Sequence, residues 1–228
     1  MINRFYVNIK IYIFFKNLLN NKFNFYNLIY RYYKKKNFLY FSKGRIALYN
    51  ILNNEISNKK KEVIISPFTL PVIINIIKFA GGKPVFVDLD LFSGLPKISE
   101  LKKKISDKTS LIIITHLYSQ KKNLKQFNNL KKKYNIKLVE DLAINFGIKK
   151  FNKFTSLNAD YSFFSFNFMK NFSTVNGGML FTKNVKDYNL LLNKTKYLKD
   201  YPSYIIFFSF LKVLILLIIS NNFLYKLI

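Results

Sequence analysis

Three stretches of the sequence decide the fold: KLVED (137–141), DYSFFSFNFMKN (160–171) and NGGMLFT (176–182). Each contains a short apolar run of the kind that forms a buried strand. The first run ends at Asp141 and the second at Ser165, and Lys170 follows that serine by five positions. Gly177–Gly178 opens the third run, where a turn with positive φ is expected. The stretches therefore place a carboxylate, a hydroxyl and an amine close to consecutive strand ends.

The segments around these stretches alternate between strand-like and helix-like patterns. Short apolar runs predict strands at Glu62–Ser66, Pro84–Asp88, Leu111–Thr115, Lys137–Glu140, Tyr161–Phe166 and Gly178–Thr182, and longer runs predict helices at Leu70–Ala80, Ile98–Ile105 and Asn123–Tyr134. Strands that alternate with helices indicate an α/β fold with a mainly parallel sheet flanked by helices. In such a sheet the functional residues gather at the carboxyl ends of the strands. The polar residues at those ends are Asp88, His116, Asp141 and Ser165.

The charge of the chain is unusual for a globular protein. Its 228 residues carry a formal net charge of +27, almost wholly from lysine, with arginine only at positions 4, 31 and 45. Such a charge is typical of proteins that bind polyanions or anionic membranes. Because the lysines are spread along the whole chain among Asn, Ile, Phe and Tyr, a composition shifted by A/T-rich codons is the alternative explanation. The sequence shows no recognisable nucleic-acid-binding motif besides this charge, so no specific nucleic-acid partner is expected.

The residue types also limit the chemistry. Half of the residues are hydrophobic, which indicates a chain with a buried core. The chain has no cysteine, so disulfides and thiolate metal sites are excluded. The single histidine, His116, excludes a multi-histidine metal cluster. Although carboxylate sites stay open, we expect no bound metal.

Two segments flank the body of residues 42–186. Residues 1–41 form a basic aromatic leader, expected to be helical, which either docks on the body or lies in a membrane interface. Residues 187–228 form an apolar tail that contains YIIFFSFLKVLILLIIS (204–220). This run is close to the ~20 residues of a membrane span, but Lys212 near its centre costs roughly 3 kcal/mol on insertion. We therefore expect a helix that adsorbs to a membrane or is buried in a dimer, and not a full span.

Seven short segments carry a family resemblance when they are taken in order: KGRIAL (43–48), EVIISPFTL (62–70), NIIKFAGGKPVFVDLD (75–90), THLYSQ (115–120), VEDLA (139–143), FSFNFMKN (164–171) and NGGMLF (176–181). Together they resemble the DegT/StrS-type family of pyridoxal-phosphate sugar aminotransferases, which has the fold-type-I aminotransferase architecture. The resemblance implies that residues 42–186 are the cofactor-binding large domain and that pyridoxal 5'-phosphate is the cofactor. That cofactor needs an acid for its pyridine nitrogen, a hydroxyl for its phosphate and an amine for its aldehyde.

The resemblance assigns these three roles to particular residues. Lys170 matches the catalytic lysine that binds the cofactor aldehyde and then moves a proton, which requires a flexible amine. Asp141 matches the carboxylate that keeps the pyridine nitrogen protonated. Ser165 matches the hydroxyl that binds the phosphate. Ala143 matches the small residue under the ring.

The resemblance also implies a phosphate cradle at the start of a helix. The backbone amides of Gly44, Arg45 and Ile46 match this cradle, because a helix N-terminus offers N–H groups and a favourable dipole to an anion. Arg45 stands where the family often has threonine, and its side chain either adds a charge to the phosphate or points to solvent.

Several positions depart from the family pattern. Ile144 stands where a glutamine usually bonds the phenolic oxygen of the cofactor, and isoleucine cannot replace that bond. Leu70 stands where an aromatic ring usually covers the pyridine face, so the aromatic contribution of about 0.5–1.5 kcal/mol is lost. Family members also continue into a C-terminal domain, which the apolar tail replaces in this sequence.

Two functions of different classes follow from the resemblance. The first is an aminotransferase that acts on a nucleotide-linked keto-sugar for surface polysaccharide synthesis, with glutamate as the expected amino donor. It would work as a homodimer in the cytoplasm, with a peripheral contact to the inner face of the membrane as a further expectation. The second is a truncated, non-catalytic or membrane-associated relative. Lys170, Asp141 and Ser165 favour the first function, whereas Ile144 and Leu70 favour the second.

Overall fold

The structure of the protein is a computed structural model. It describes residues 27, 29, 30, 33, 37–116, 124–146, 149–150, 153–154, 157–167, 170, 172–174, 176–198 and 202–219. Most of the predicted leader, the end of the tail and the LYSQ part of the fourth resemblance segment lie outside these residues.

The described residues contain nine strands. The strands are β1 (Phe38–Phe41), β2 (Glu62–Ile65), β3 (Lys83–Phe86), β4 (Thr109–Thr115), β5 (Lys137–Asp141), β6 (Lys149–Lys150), β7 (Lys153–Phe154), β8 (Tyr161–Ser165) and β9 (Gly178–Thr182). Seven of them form one sheet in the order β1-β9-β8-β5-β4-β2-β3, while β6 and β7 pair separately. The neighbours from β3 through β2, β4 and β5 to β8 are parallel, and β9 and β1 add antiparallel strands at one edge. The predicted mainly parallel sheet is confirmed.

Helices cover both faces of the sheet. The helices are α1 (Gly44–Glu55), α2 (Pro71–Phe79), α3 (Ile98–Lys104), α4 (Lys125–Tyr134), α5 (Val185–Thr195) and α6 (Ser203–Ile219). Buried residues of α1, α2 and α5 join the cluster on one face, and buried residues of α3 and α4 join the cluster on the other. Strand β4 shows why both faces need cover, because Leu111 and Ile113 face the first cluster while Ile112 and Ile114 face the second. A run that is apolar at every position is the mark of such a doubly buried strand.

An aromatic cluster lies beside β8 and β9. Ile29 and Tyr33, from the predicted leader, are buried in it. The ring of Tyr33 lies 5.6 Å from that of Phe164 and 5.9 Å from that of Phe146. The described part of the leader therefore docks on the body, which is one of the two alternatives that the sequence leaves open.

The leader differs from the prediction at its end. A helix is expected for Phe38–Phe41, but this stretch forms β1 and pairs antiparallel with β9. The aromatic residues of the stretch have high strand propensity, and Phe38 packs on Phe181 with ring centroids 5.2 Å apart. Tertiary pairing with β9 thus decides the structure of a stretch whose own sequence pattern is ambiguous.

The apolar tail contributes α6. The side-chain amide of Asn176 donates to the hydroxyl of Ser209 at 2.7 Å, which ties α6 to the turn before β9. Large apolar side chains on α6 stay exposed: Tyr204, Phe207, Phe208, Leu211 and Ile215. None of the helices in the described part of the chain has both the length and the apolarity needed to cross a bilayer.

Candidate active site

The carboxylate of Asp141 lies at the carboxyl edge of the sheet. Strand β5 ends at this residue, between Thr115 of β4 and Phe163 of β8. The residue is only 7% exposed, and its Oδ1 accepts a hydrogen bond from the backbone N–H of Ala143 at 3.0 Å. Burial raises the pKa of Asp141, while the Ala143 N–H and the charges of Lys170 and His116 act in the opposite direction. A buried carboxylate of this kind is best stabilised by a cationic partner.

The start of α1 is packed directly against the ends of β8 and β9. A Cβ on Gly44 would lie 2.8 Å from the carbonyl oxygen of Phe164 and 2.9 Å from the Cβ of Ser165. A Cβ on Gly178 would lie 2.4 Å from the backbone nitrogen of Gly44. Only glycine at both positions allows this approach, and it brings the hydroxyl-bearing residue Ser165 to the N-terminus of α1.

The N-terminus of α1 has no side-chain cap. Lys43, at the N-cap, makes no side-chain cap, and the first turn of α1 has no acidic residue. The amides of Ile46 and Ala47 donate to the carbonyl of Lys43 at 3.0 and 3.3 Å. Helix geometry gives the amides of Gly44 and Arg45 no partner inside the helix. These two N–H groups and Ser165 are what the cradle offers to a phosphate, and the exposed side chain of Arg45 stands beside them.

Lys170 lies in the turn that follows β8. Its backbone N–H donates to the carbonyl of Asn167 at 2.9 Å, and the N–H of Thr174 then closes the loop on the carbonyl of Phe166 at 3.0 Å. Gly177, with φ of 148°, supplies the predicted positive-φ turn before β9. The half-buried Lys170 is close enough to Asp141 for its charge to act on that carboxylate.

A polar network beneath Asp141 is absent from the sequence-based predictions. His116 and Glu140 are both buried, and His116 Nε2 lies 3.0 Å from Glu140 Oε1. The sequence pattern identifies His116 only as a strand-end residue and Glu140 only as part of a strand. A signal is nevertheless present, because a glutamate inside an apolar strand run needs buried partners.

The contacts of the other predicted site residues constrain their roles less closely. Leu70 precedes α2 and is 59% exposed, so its role over the ring stays a prediction. Ala143 is half-buried against the cluster on the α1 face, and its place under the ring stays a prediction. Asp88 is exposed, and its backbone carbonyl accepts from the N–H of Lys97 at 2.8 Å. Within the described residues no group of three His, Asp or Glu side chains converges as metal ligands.

The donor set fits a phosphorylated cationic ring. The glycine-dependent approach of α1 to Ser165 places a hydroxyl beside a helix N-terminus, where an anion could bind. Asp141, buried and oriented by Ala143, forms the acidic end. Lys170 follows β8 at the same edge of the sheet. An acid, an amine and a hydroxyl, the groups that pyridoxal phosphate requires, are therefore available at this edge.

The fold is that of an α/β protein of the aminotransferase type. The chain belongs to the DegT/DnrJ/EryC1/StrS aminotransferase family, whose profile matches residues 18–194.

Individual relatives support the same membership. The chain is 34% identical over 152 residues to GDP-perosamine synthase of Escherichia coli O157:H7, a match that covers 67% of this chain and 42% of that protein. It is 29% identical over 140 residues to dTDP-4-amino-4,6-dideoxy-D-glucose transaminase of Shigella dysenteriae, which covers 61% of this chain and 38% of that protein. The chain therefore spans about two fifths of the length of these relatives.

A solved structure confirms the fold. Helicobacter pylori PseC, an aminotransferase of pseudoaminic acid biosynthesis, superimposes with a TM-score of 0.70 at 23% identity. The superposition covers 78% of this chain and 48% of that one. The fold-type-I architecture is thus the architecture of this chain.

Proposed function

We propose that the chain is a pyridoxal-phosphate-dependent aminotransferase that acts on a nucleotide-linked keto-sugar in surface polysaccharide synthesis. The observation that carries the proposal is the gathering of Asp141, Lys170 and the Ser165–α1 cradle at one edge of the sheet. The names of the relatives, a GDP-perosamine synthase and a dTDP-sugar transaminase, support the substrate class. Glutamate is the amino donor we propose.

Each residue has a defined task in this proposal. The Ser165 hydroxyl and the amides of Gly44 and Arg45 hold the phosphate, where the α1 dipole favours a negative charge. Asp141 would pair with the pyridine nitrogen and keep it protonated, and its buried carboxylate would gain a cationic partner there. Lys170 binds the aldehyde and moves the proton of the substrate carbon. The bound cofactor supplies the electron sink that makes that proton removable.

Ile144 and Leu70 are expected to limit the affinity of the site for the cofactor. The half-buried Ile144 follows Ala143 in the turn after β5 and offers no hydrogen bond to the cofactor. The exposed Leu70 would cover less of the pyridine face of the cofactor than an aromatic residue would. These departures favour weaker cofactor binding, while the retained acid, amine and cradle favour a working enzyme over a non-catalytic relative.

A homodimer is the assembly we propose. An open groove of about 460 Å³ lies between α1 and α2, lined by Arg45, Ile46, Tyr49, Asn75, Ile76 and Phe79. Phe79 is 80% exposed, and its ring lies 5.4 Å from that of Tyr49. Large apolar side chains beside a functional edge are typical of an interaction surface. The groove begins at the cradle residue Arg45, so a second copy bound there would border the site.

A peripheral contact with the inner face of the cytoplasmic membrane is a further proposal. The exposed rings of Phe207 and Phe208 on α6 offer an apolar face, and the exposed Lys212 lies one turn further on. Aromatic residues next to lysine suit the surface of an anionic bilayer. The net charge of +27 would add a long-range attraction.

The test of the function is the half-reaction with the donor. Protein loaded with pyridoxal phosphate is mixed with glutamate, and 2-oxoglutarate is measured against the amount of bound cofactor. We expect one equivalent per site in the wild type and a large loss of rate in Asp141→Asn, with the cofactor still retained by the cradle. Cofactor binding without any 2-oxoglutarate would favour the non-catalytic alternative.

A further inference from the structure

The side chain of Glu140 is an unusual feature of the core. It lies next to Asp141 on β5 but points to the opposite face, as alternate strand residues do, and it is completely buried. Its Oε2 accepts from the N–H groups of Asn158 and Ala159, at 3.1 and 3.2 Å, and from the hydroxyl of Ser162 at 3.3 Å. Three donors on one oxygen are the surroundings of an ionised carboxylate.

His116 completes the surroundings of Glu140. Its Nε2 lies 3.0 Å from Glu140 Oε1, with both side chains fully buried. Because an ionised carboxylate only accepts hydrogen bonds, Nε2 is the donor in this pair. The imidazole is therefore fixed in orientation, and its Nε2–H gives a hydrogen bond to a carboxylate that would otherwise be costly to bury.

The backbone of His116 connects the same residue to Asp141. Its N–H donates to the carbonyl of Asp141 at 3.2 Å, and its carbonyl accepts from the side-chain amide of Asn145 at 2.8 Å. The N–H of Asn145 donates to the carbonyl of Leu142 at 3.0 Å. This chain of bonds fixes the turn in which the N–H of Ala143 orients the Asp141 carboxylate.

We propose that His116, held by Glu140, is a positioning residue for Asp141. It fixes the turn that aims the Asp141 carboxylate, because its backbone N–H and carbonyl bond Asp141 and Asn145 on either side of that turn. The charge of His116 acts to lower the pKa of Asp141, against the effect of burial, as does the charge of Lys170 from the site side. His116 thus orients Asp141 and opposes the rise in its pKa, while its own side chain is fully buried and out of reach of a substrate.

The experiment measures Asp141 directly in cofactor-free protein. The carboxyl carbon of Asp141 is titrated by NMR in the wild type, His116→Gln, His116→Leu and Ser162→Ala. Glutamine keeps an N–H donor for Glu140 but carries no charge, whereas leucine removes both. Ser162→Ala is the matched control, because it removes one bond to the same glutamate without touching the link to Asp141.

The expected results distinguish a positioning role of His116 from a role in fold stability alone. Asp141 should titrate at higher pH in both His116 variants and at the wild-type pH in Ser162→Ala. The amide proton of Ala143 should shift in His116→Leu, and His116→Gln should retain most of the wild-type resistance to urea. If His116→Leu does not fold, His116→Gln carries the test. An Asp141 titration that is the same in all four proteins would overturn the proposal.

The cofactor part of the inference rests on the proposed function and is tested separately. With pyridoxal phosphate bound, the 2-oxoglutarate rate of His116→Gln should fall on the order of tenfold or more, because misplacing a functional side chain slows the reaction it takes part in. Failure of the wild type to form 2-oxoglutarate would overturn the proposed function but not the titration result. A His116→Gln rate equal to that of the wild type would overturn the positioning role in the reaction.

Discussion

Gly178→Ala perturbs the closest packing in the candidate site. A Cβ at this position would lie 2.3 Å from the carbonyl carbon of Lys43, 2.4 Å from the nitrogen of Gly44 and 2.5 Å from the carbonyl oxygen of Lys43. All three are backbone atoms, so no flexible side chain can give way. Normal carbon contacts are about 3.5 Å or more, and α1 must therefore move by about 1 Å from β9.

The size of the effect follows from this displacement. Overpacking of a core costs typically 1–3 kcal/mol, and we expect about 3 kcal/mol here because the contact is with backbone on both sides. The same movement would displace the amides of Gly44 and Arg45 from the phosphate position that we propose. A hydrogen bond to a charged group contributes about 1.5–3 kcal/mol, so the loss of one weakens pyridoxal phosphate binding roughly tenfold or more.

Two assays check this prediction. Urea denaturation of cofactor-free protein gives the loss in free energy of unfolding, and a spectral titration gives the affinity for pyridoxal phosphate. Gly81→Ala is the control, since Gly81 has φ of +80° and nothing lies within 4 Å of the position that a Cβ would take there. It should destabilise the fold by about 1 kcal/mol through backbone strain and leave the affinity unchanged. If Gly178→Ala bound pyridoxal phosphate with wild-type affinity, the assignment of the phosphate cradle to the N-terminus of α1 would be refuted.

Three further predictions concern other parts of the molecule. Because burial raises the pKa of Asp141 above its unfolded value of 3.8, the folded protein binds this proton more tightly and loses stability as pH rises through the folded pKa. Asp141→Asn should therefore make cofactor-free protein more resistant to urea than the wild type at pH 7 but not at pH 3. If the variant and the wild type were equally stable at both pH values, the burial effect would be contradicted. Ile144→Gln should tighten pyridoxal phosphate binding by the net worth of one hydrogen bond, about 0.5–1.5 kcal/mol, in the same spectral titration, and weaker binding would show that the turn is remodelled. The double variant Phe207→Ser/Phe208→Ser should lose sedimentation with anionic vesicles while Phe92→Ser, an exposed ring elsewhere, keeps it; equal sedimentation of both variants would exclude α6 as the membrane contact.

The sheet could be predicted from the sequence because its central strands are buried on both faces. The run LIIIT at residues 111–115 is apolar at nearly every position and corresponds to most of β4. The strand predicted at Gly178–Thr182 has the bounds that the structure shows. Fully buried parallel strands leave a strong apolar signal, and the resemblance supplied the order of the site residues along the chain.

The remaining features depend on contacts between distant parts of the chain. Strand β1 exists because β9 pairs with it, which the sequence of Phe38–Phe41 does not reveal. The close approach of Gly178 to Gly44 joins residues far apart in sequence, so the second glycine could not be distinguished from a turn residue. The partners of Glu140 come from residues 116, 158, 159 and 162, and only the folded structure brings them together.

The central claim is that Lys170 is the amine that receives the cofactor. The most direct measurement is borohydride reduction of the protein with pyridoxal phosphate, followed by peptide mass spectrometry, with Lys170→Ala as the variant and Lys43→Ala, a lysine beside the cradle, as the control. We predict that the wild type and Lys43→Ala carry one reduced cofactor on Lys170 and that Lys170→Ala carries none. A stable adduct on another lysine in the wild type, or an adduct that survives in Lys170→Ala, would contradict the account.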